Sequence, residues 1–222
     1  AASDVYKRQA MTCRIDIDKS KPQRVVCCFA GDGAYANGVV LESLNWACQD
    51  QFTNPKMTSI VKGLPIIYCI VNNHFGMTGR AEGEVTGVDF LARRAAGFDN
   101  NNMHAEVVNG MDALAVRDAV MRAKNICLEG KGPVLLELNT YRYYGHSLSD
   151  PRNEYRTKEE EEKWKQWDPI AVFKRILLEK KAFTEKELDE IEKRVIDRNA
   201  SAARKAADAP DPDPADVIKY MY

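Results

Sequence analysis

Two short polar motifs stand directly after apolar runs, and their residue types suit one kind of chemistry. The motifs are Gly31-Asp32-Gly33 and Asn72-Asn73. Magnesium binds about six oxygen ligands and commonly takes one or two from carboxylates and others from phosphates. Asp32 can supply a carboxylate oxygen and Asn73 an amide oxygen, while glycines let the backbone approach phosphates and adopt dihedral angles that a Cβ forbids. The motifs therefore predict a site for a magnesium ion and the diphosphate of a cofactor.

A third loop with chemically useful side chains follows the last apolar run: residues 141–147 read Tyr-Arg-Tyr-Tyr-Gly-His-Ser. Ligands of open parallel sheets bind where the loops leave the carboxyl ends of the strands. Either Gly-Asp-Gly or Asn-Asn alone is typical of a turn, so it is the placement of both after buried strands that favours a ligand site. The helix predicted after Gly38 is expected to point free backbone amides at the same anion.

The elements that must position these loops are four short apolar runs rich in Val, Ile and Leu. Their apolarity is continuous rather than alternating, which predicts strands buried on both faces, as in a parallel sheet. Asp112 is a predicted N-cap for a helix that reaches about Glu129 and ends at Gly130. Strands that alternate with helices indicate a doubly wound, mainly parallel α/β fold. The four runs are Val25–Ala30, Ile66–Val71, Ala105–Val108 and Val134–Leu138.

The two ends of the chain differ from this alternating core. Residues 157–207 are highly charged and helical in pattern, and the segment 208–214, Asp-Ala-Pro-Asp-Pro-Asp-Pro, cannot be helical because proline lacks the backbone donor. Residues 1–9 match neither a helical nor a strand period, and we interpret them as an artefact outside the fold. The prediction is a cofactor-binding domain over residues 10–156, incomplete at its N-terminus, and a helical C-terminal region with an extended tail over residues 157–222.

Composition and charge argue against several classes of partner. A net charge of −1 provides no broad cationic field, so neither nucleic acid nor an anionic membrane surface is expected as a partner. No apolar stretch approaches the roughly 20 residues that a membrane helix needs. The six cysteines include no CxxC pair, and several fall in apolar runs, which favours a reducing cytoplasm. Small molecules and proteins are the expected ligands.

The two motifs together resemble the thiamine-diphosphate motif, in which Gly-Asp-Gly is followed some distance later by Asn-Asn. Here 38 residues separate Gly33 from Asn72, more than that family usually has, and the surplus maps to residues 50–63, where a surface excursion is tolerated. The wider sequence, above all residues 141–151 and the Tyr-Arg-Thr-Lys-Glu-Glu at 155–160, resembles the α subunit of the E1 component of 2-oxo acid dehydrogenase complexes. The likeness runs from about Ala10 to Tyr222, but the chain lacks the family's N-terminal third.

The resemblance implies a binding role for residues in all three loops. His146 is implied to lie over the cofactor, where it contacts phosphate or substrate and helps the acyl group move on, and it is the implied catalytic residue. Phe75 stands where the family often has tyrosine, a change that a carbonyl ligand tolerates. The implied magnesium ligands are Asp32, the Asn73 side chain and the Phe75 backbone carbonyl. The implied diphosphate contacts are Gly31, Gly33 and Ala34.

The activity that the resemblance implies is oxidative decarboxylation of pyruvate or a similar 2-oxo acid, with acyl transfer to the lipoyl domain of the E2 acyltransferase. Thiamine diphosphate and Mg²⁺ are the implied cofactors. In that family the glutamate that activates the cofactor comes from the β subunit, so the chain is expected to act in an α2β2 heterotetramer and not to turn over alone. Acetoin and branched-chain 2-oxo acids stay open as substrates.

Two other interpretations stay open beside this one. The chain as it stands could be a non-catalytic assembly fragment that contributes an interface and binds no cofactor. A single-chain thiamine enzyme such as a transketolase is the other, and it would carry the pyrimidine-binding domain on the same polypeptide. Ser147 occupies the position that is phosphorylated in mitochondrial members, whereas Glu154 stands at a second family phosphosite, which disfavours control by a kinase.

For the side chains in and after the third loop, the sequence predicts which form pairs, which pack and which face solvent. Arg142 and Asp150 are expected to pair and order the loop. The Glu159–Glu162 run is expected to be a solvated helix face, and Trp164 and Trp167 are expected to pack on the core or a partner. Outside the loop, solvent-facing side chains are expected at His74 and His104.

Overall fold

The computed structural model describes residues 2–15, 22–52, 63–98, 103–151 and 154–219. Contacts divide the chain into two compact units, Ala1–Pro169 and Ile170–Tyr222. The predicted domain boundary after residue 156 stays a prediction. Of the surplus segment 50–63, residues 53–62 lie outside the described residues, and its start forms a short 3-10 helix over Asp50–Phe52.

The first unit is built on a four-stranded, fully parallel sheet, which confirms the predicted doubly wound α/β class. Each observed strand lies within about one residue of a predicted apolar run. The strand order is β1-β2-β4-β3. In chain order the elements are α1 (Ala2–Ile15), β1 (Val26–Gly31), α2 (Gly38–Ala47), β2 (Ile66–Asn72), β3 (His104–Asn109), α3 (Ala113–Leu128), β4 (Val134–Asn139) and α4 (Lys158–Lys165).

Apolar side chains cover the centre of the sheet on both faces. Alternate residues of β2 point to opposite sides, so Tyr68 joins a cluster with α2 whereas Cys69 joins a cluster with α3. Both central strands, β2 and β4, are buried almost throughout. The prediction of burial on both faces is wrong for the edge strands, where single apolar side chains face solvent: Phe29 on β1 is 62% exposed and Val107 on β3 is 45% exposed.

Residues 1–9 match no helical period in the sequence, but α1 begins at Ala2 and packs on the core. Their interpretation as an artefact stays a prediction. Ala10 is fully buried, and Lys7 is only 5% exposed. The Lys7 ammonium lies 3.9 Å from the Glu42 carboxylate and 4.6 Å from the centre of the Trp46 ring. A lysine that packs through its aliphatic stem counts as polar in a hydrophobic pattern, so the helical period was hidden.

The helix that follows β3 confirms its predicted boundaries. The Asp112 carboxylate accepts the backbone N–H groups of Leu114 and Ala115, which is the N-cap arrangement, and α3 ends at Leu128. Gly130 adopts a left-handed φ of 80°, a conformation that glycine takes without a Cβ penalty.

The second unit is helical, as predicted for the charged C-terminal part. It contains α5 (Pro169–Glu179), α6 (Glu185–Ala207) and α7 (Asp216–Lys219). Lys174 on α5 and Asp189 on α6 form an ion pair at 2.7 Å. The proline-rich segment 208–214 is not helical, in agreement with the prediction, although one helical turn follows it. None of the described helices combines the length and apolarity needed to cross a membrane.

Candidate cofactor and metal site

The loops after β1, β2 and β4 meet at the carboxyl edge of the sheet. Gly31 pairs in register with Val71, and Asn72 pairs with Asn139, so the residues that follow these strands are neighbours. A Cβ on Gly33 would lie 3.7 Å from the Cα of Gly76, which shows how close the first two loops are. The structure therefore brings the two predicted ligand motifs together.

Asp32 has one oxygen that is engaged and one that is not. The side chain is buried, and its Oδ1 accepts the Gly33 N–H at 3.0 Å. Its Oδ2 is buried and has no hydrogen-bond partner within the part of the chain that the structure describes. Burial raises the pKa of this carboxyl, and the Gly33 amide and the His74 charge oppose the rise. A buried acceptor oxygen without a donor fits a cation ligand.

The two asparagines have different roles. Asn72 is buried and turned inward: its Nδ2 donates to Glu137 at 2.6 Å, and its Oδ1 accepts the His74 N–H at 3.0 Å. Asn73 is half-buried, and its Oδ1 accepts the Phe75 N–H at 3.0 Å. An amide oxygen has two acceptor lone pairs, so Asn73 keeps capacity for a metal whereas Asn72 is committed to the protein.

The glycines of the first loop leave room for a ligand and do not provide an unusual backbone conformation. Neither Gly31 nor Gly33 has a positive φ, so the expected need for dihedral angles that a Cβ forbids is wrong. A Cβ on Gly31 would meet no atom of the described residues within 4 Å, which leaves open room beside the first loop. At the start of α2, the Asn37 side chain accepts the Val39 N–H at 3.0 Å, so that amide is not available to an anion.

The second loop contains a left-handed backbone conformation, which is uncommon outside glycine, although asparagine, aspartate and histidine adopt it more often than other residues. His74 has a φ of 66°, in the left-handed region, and its side chain is half-buried rather than solvent-facing as predicted. The hydrogen bond from its N–H to Asn72 holds this turn, which leads directly into the Phe75 carbonyl.

Substitutions at His74 are expected to follow the backbone. His74→Gly should change stability little, because relief of left-handed strain offsets the greater freedom of the unfolded chain. His74→Val should destabilise the protein by about 2 kcal/mol, because a β-branched side chain clashes in this conformation. Urea unfolding midpoints measure both, with Thr78→Val on the same loop as the control. Equal losses from His74→Gly and His74→Val would instead show that the imidazole contacts hold the loop.

The third loop is ordered by a network around Arg142, which confirms the predicted pairing with Asp150. The Arg142 guanidinium donates to the Gly76 carbonyl at 2.9 Å and to the Tyr155 hydroxyl at 3.0 Å, and it lies 3.9 Å from the Asp150 carboxylate. That carboxylate accepts the backbone N–H of His146 at 2.6 Å. The network thus ties the third loop to the second and holds the backbone of His146, whose side chain is exposed.

Arg156 is a central residue of the site that the sequence did not single out. Its side chain is fully buried, donates to the carbonyl oxygens of Arg142 and Tyr143, and lies over the rings of three aromatic residues. Its Nε is 2.9 Å from Glu161, an ion-pair contact whose angle falls short of a hydrogen bond. The rings are those of Phe75, Tyr141 and Tyr155.

The prediction of a solvated Glu159–Glu162 face is wrong for its two middle residues, because α4 folds back over the loops. Glu161 pairs with Arg156, and Glu160 lies 2.7 Å from Arg80. Trp164 stacks on Tyr141 with ring centres 5.0 Å apart, as predicted, whereas Trp167 is 57% exposed. His104 is exposed, as predicted, at the start of β3.

The donor set of the site is one of oxygens. Within the described ranges, no three His, Cys, Asp or Glu side chains gather as a metal-binding group. A metal at this edge would therefore combine the Asp32 carboxylate with amide, backbone carbonyl and phosphate oxygens, the hard ligands that magnesium takes. The residues present fit a magnesium ion with a bound diphosphate.

Comparison with known proteins agrees with this geometry. A family model described as dehydrogenase E1 component matches residues 8–215. The chain belongs to this family. The family match confirms the resemblance seen in the sequence. It spans the two ligand motifs, the third loop and the helices α4, α5 and α6.

Similar proteins with names include α subunits of the pyruvate dehydrogenase E1 component. The chain is 37% identical over 204 residues to the pyruvate dehydrogenase E1 component subunit alpha-1, mitochondrial, of Arabidopsis thaliana, covering 91% of this chain and 48% of the relative. It is 36% identical to the mitochondrial alpha subunit of Dictyostelium discoideum, with 91% and 49% covered. It is 38% identical to the mitochondrial alpha subunit of Pisum sativum, with 91% of this chain and 46% of the relative covered. The chain thus spans about half the length of these curated relatives.

Proposed function

We propose that this chain is the part of an E1 α subunit that binds magnesium and the diphosphate of thiamine diphosphate. One observation carries the proposal: Asp32 Oδ2 is buried at the edge where the first two loops meet, and none of the described residues donates a hydrogen bond to it. Membership of the E1 family supports thiamine diphosphate as the cofactor. The proposed metal ligands are Asp32, the Asn73 side chain and the Phe75 carbonyl, and the proposed diphosphate contacts are Gly31, Gly33 and Ala34.

The chemistry of the proposed reaction divides between cofactor and protein. When bound, thiamine diphosphate supplies the carbanion that attacks the 2-oxo group of a substrate. The chain's own residues bind and orient: Asp32 and Asn73 hold the metal, and the open room beside Gly31 receives phosphate oxygens. His146, the proposed catalytic residue, has its backbone held by Asp150 and its Nδ1 3.5 Å from the Arg142 guanidinium. It presents its imidazole at the open side of the third loop.

The proposed whole enzyme is a 2-oxo acid dehydrogenase E1 that decarboxylates its substrate and transfers the acyl unit to a lipoyl group. The names of the relatives favour pyruvate over acetoin or branched-chain 2-oxo acids. The proposed partners are an E1 β subunit in an α2β2 assembly and the lipoyl domain of the E2 acyltransferase. The E1 family match favours this over a single-chain transketolase. A second candidate, an assembly fragment that binds no cofactor, rests on the half-length coverage of the relatives.

The proposed compartment is a reducing one. Cys28, Cys48, Cys69 and Cys127 are buried as small core residues. Burial raises the pKa of the Cys69 thiol to about 12, which leaves it protonated and unreactive. The cytoplasm stays the proposed location for this chain, while the three relatives compared above are named as mitochondrial.

Calorimetric titration separates the enzyme from the assembly fragment. Thiamine diphosphate is titrated into the full-length protein, alone and with its candidate β subunit, in Mg²⁺ and in EDTA. We expect binding that requires Mg²⁺ and becomes tighter with the β subunit. Binding that is absent in both formats would favour the assembly fragment, and binding that persists unchanged in EDTA would contradict the metal site.

A further inference from the structure

Glu137 is a fully buried carboxylate in the middle of β4 that the proposed chemistry does not use. Each of its oxygens accepts one hydrogen bond from a different part of the chain. Oε1 accepts the Asn72 Nδ2 at 2.6 Å, and Oε2 accepts the backbone N–H of Ala92 at 2.8 Å. A buried carboxylate is costly unless it is hydrogen-bonded, and these two bonds lead toward the two ligand loops.

The first bond leads to the second loop in two steps. Glu137 fixes the Asn72 side chain, and that side chain accepts the N–H of His74. The accepted N–H belongs to the residue in the left-handed conformation. Asn73 and Phe75 flank His74, so the directions of both proposed metal ligands depend on this turn.

The second bond leads to the first loop. Ala92 lies in a 3-10 helix over Leu91–Gly97, in which the Arg94 guanidinium donates to the Tyr35 carbonyl and to Thr86 Oγ1. Tyr35 belongs to the 3-10 helix Asp32–Ala36, which begins at the proposed carboxylate ligand. The buried Glu137 side chain is therefore connected to the first and second loops, which carry the proposed ligands.

We propose that Glu137 is a positioning residue that holds the two ligand loops in the geometry that binds the metal and diphosphate. The inference rests on the proposed function, and it adds a residue behind the ligands that connects them. Partners that orient metal ligands typically change metal affinity by 10–100-fold when they are replaced. Glu137 acts without contact to metal or cofactor, through Asn72 on one side and Ala92 on the other.

Glu137→Gln tests this at nearly constant volume. A glutamine has one acceptor oxygen and one donor amide, whereas the site offers it two donors, Asn72 Nδ2 and Ala92 N–H. Turning the Asn72 amide over only moves the donor clash to the His74 N–H. We expect Mg²⁺-dependent affinity for thiamine diphosphate in the full-length protein with its β subunit to fall at least about tenfold.

The double variant Glu137→Gln with Asn72→Asp is expected to rescue binding. The new amide at position 137 donates to the new carboxylate at position 72 and accepts from Ala92, and that carboxylate also accepts from His74. Every hydrogen bond is restored with the donor and acceptor exchanged between the two residues. We expect the double variant to recover at least half of the lost affinity on a logarithmic scale.

Tyr68→Phe is the matched control, because it removes a buried hydrogen bond to Ser43 at 2.9 Å from β2, the strand that also carries Asn72. It is expected to lower the unfolding temperature while leaving Mg²⁺ affinity unchanged. Hydrogen exchange without cofactor adds a second readout: the amides of His74 and Ala92 should exchange faster in Glu137→Gln and recover protection in the double variant.

The outcomes separate this inference from the proposed function. Unchanged affinity and unchanged exchange in Glu137→Gln, with normal binding by the wild type, would overturn the positioning role and leave the function standing. Affinity lost equally in Glu137→Gln and Tyr68→Phe would also overturn it. A wild type that does not bind would overturn the proposed function and the affinity part of this inference, while the exchange measurement still decides whether Glu137 holds the loops.

Discussion

Asp32→Asn is expected to weaken magnesium-dependent binding of thiamine diphosphate by roughly 100-fold or more, which corresponds to about 2.7 kcal/mol. The change keeps the shape of the side chain, and the amide oxygen can still accept the Gly33 N–H. It replaces the buried Oδ2, which has no hydrogen-bond partner among the residues that the structure describes, with an NH₂ group, which repels a cation. Calorimetric titration with Mg²⁺ measures the loss, and Asp89→Asn, at an exposed carboxylate, is the control.

The same variant is expected to leave the cofactor-free protein at least as stable as the wild type. Burial raises the pKa of Asp32 above its ordinary value of 3.8, so the folded chain holds this proton more tightly than the unfolded chain does. Its contribution to stability is therefore present at low pH and is lost as the pH rises above 3.8 through the raised value. Asparagine has no such loss. A melting temperature at pH 7 that falls together with binding would instead assign Asp32 a structural role.

Arg156→Met is expected to destabilise the protein by about 3–5 kcal/mol, because it removes a fully buried cation from its contact with a partly buried carboxylate. Glu161 is only 13% exposed at its side chain and loses the Nε contact at 2.9 Å. Two backbone carbonyl groups, at Arg142 and Tyr143, lose their donors in the same change. The third loop should therefore loosen as well as the fold, and limited proteolysis across residues 142–151 should become faster.

Chemical unfolding measures the stability change, and Arg80→Met is its control. Arg80 also pairs with a glutamate of α4, Glu160, but its side chain is 49% exposed. An exposed ion pair is worth about 0–1 kcal/mol, so the control should change stability little. The double variant Arg156→Met with Glu161→Met should recover part of the loss, because it also removes the partly buried carboxylate that Arg156 contacts. Equal effects at Arg80 and Arg156 would contradict the importance of burial.

The lysine in α1 shows where a pattern of apolar residues is a poor guide. Residues 1–9 were interpreted as lying outside the fold, yet Lys7 packs against Trp46 and Glu42 while Ala10 enters the core. A hydrophobic period counts lysine as solvent-facing, whereas its four-carbon stem can cover apolar surface and its ammonium can lie over a ring. The apolar pattern misses the helical period of α1 because the residues that Lys7 contacts, Glu42 and Trp46, are on another helix.

The sequence by itself determined the order of strands and helices, the ends of α3 and the three loops that form the site. These features depend on residues close together in the chain: continuous apolar runs, the Asp112 cap and the polar motifs that follow each strand. In a parallel sheet, all strand ends of one kind meet at one edge. The position of Asp32 and Asn73 at that edge therefore followed from local pattern.

The tertiary structure decided which polar groups are free and which are committed. Asn72 and Asn73 are the same residue type side by side in the sequence. Of the two, Asn72 is the one that donates a hydrogen bond to Glu137, 65 residues away. Arg156 gained its role from the carbonyl groups, rings and carboxylate that surround it after folding. A hydrogen bond or ion pair between distant residues depends on which side chains the sheet and its loops bring within about 3 Å, and no local period in the sequence records that.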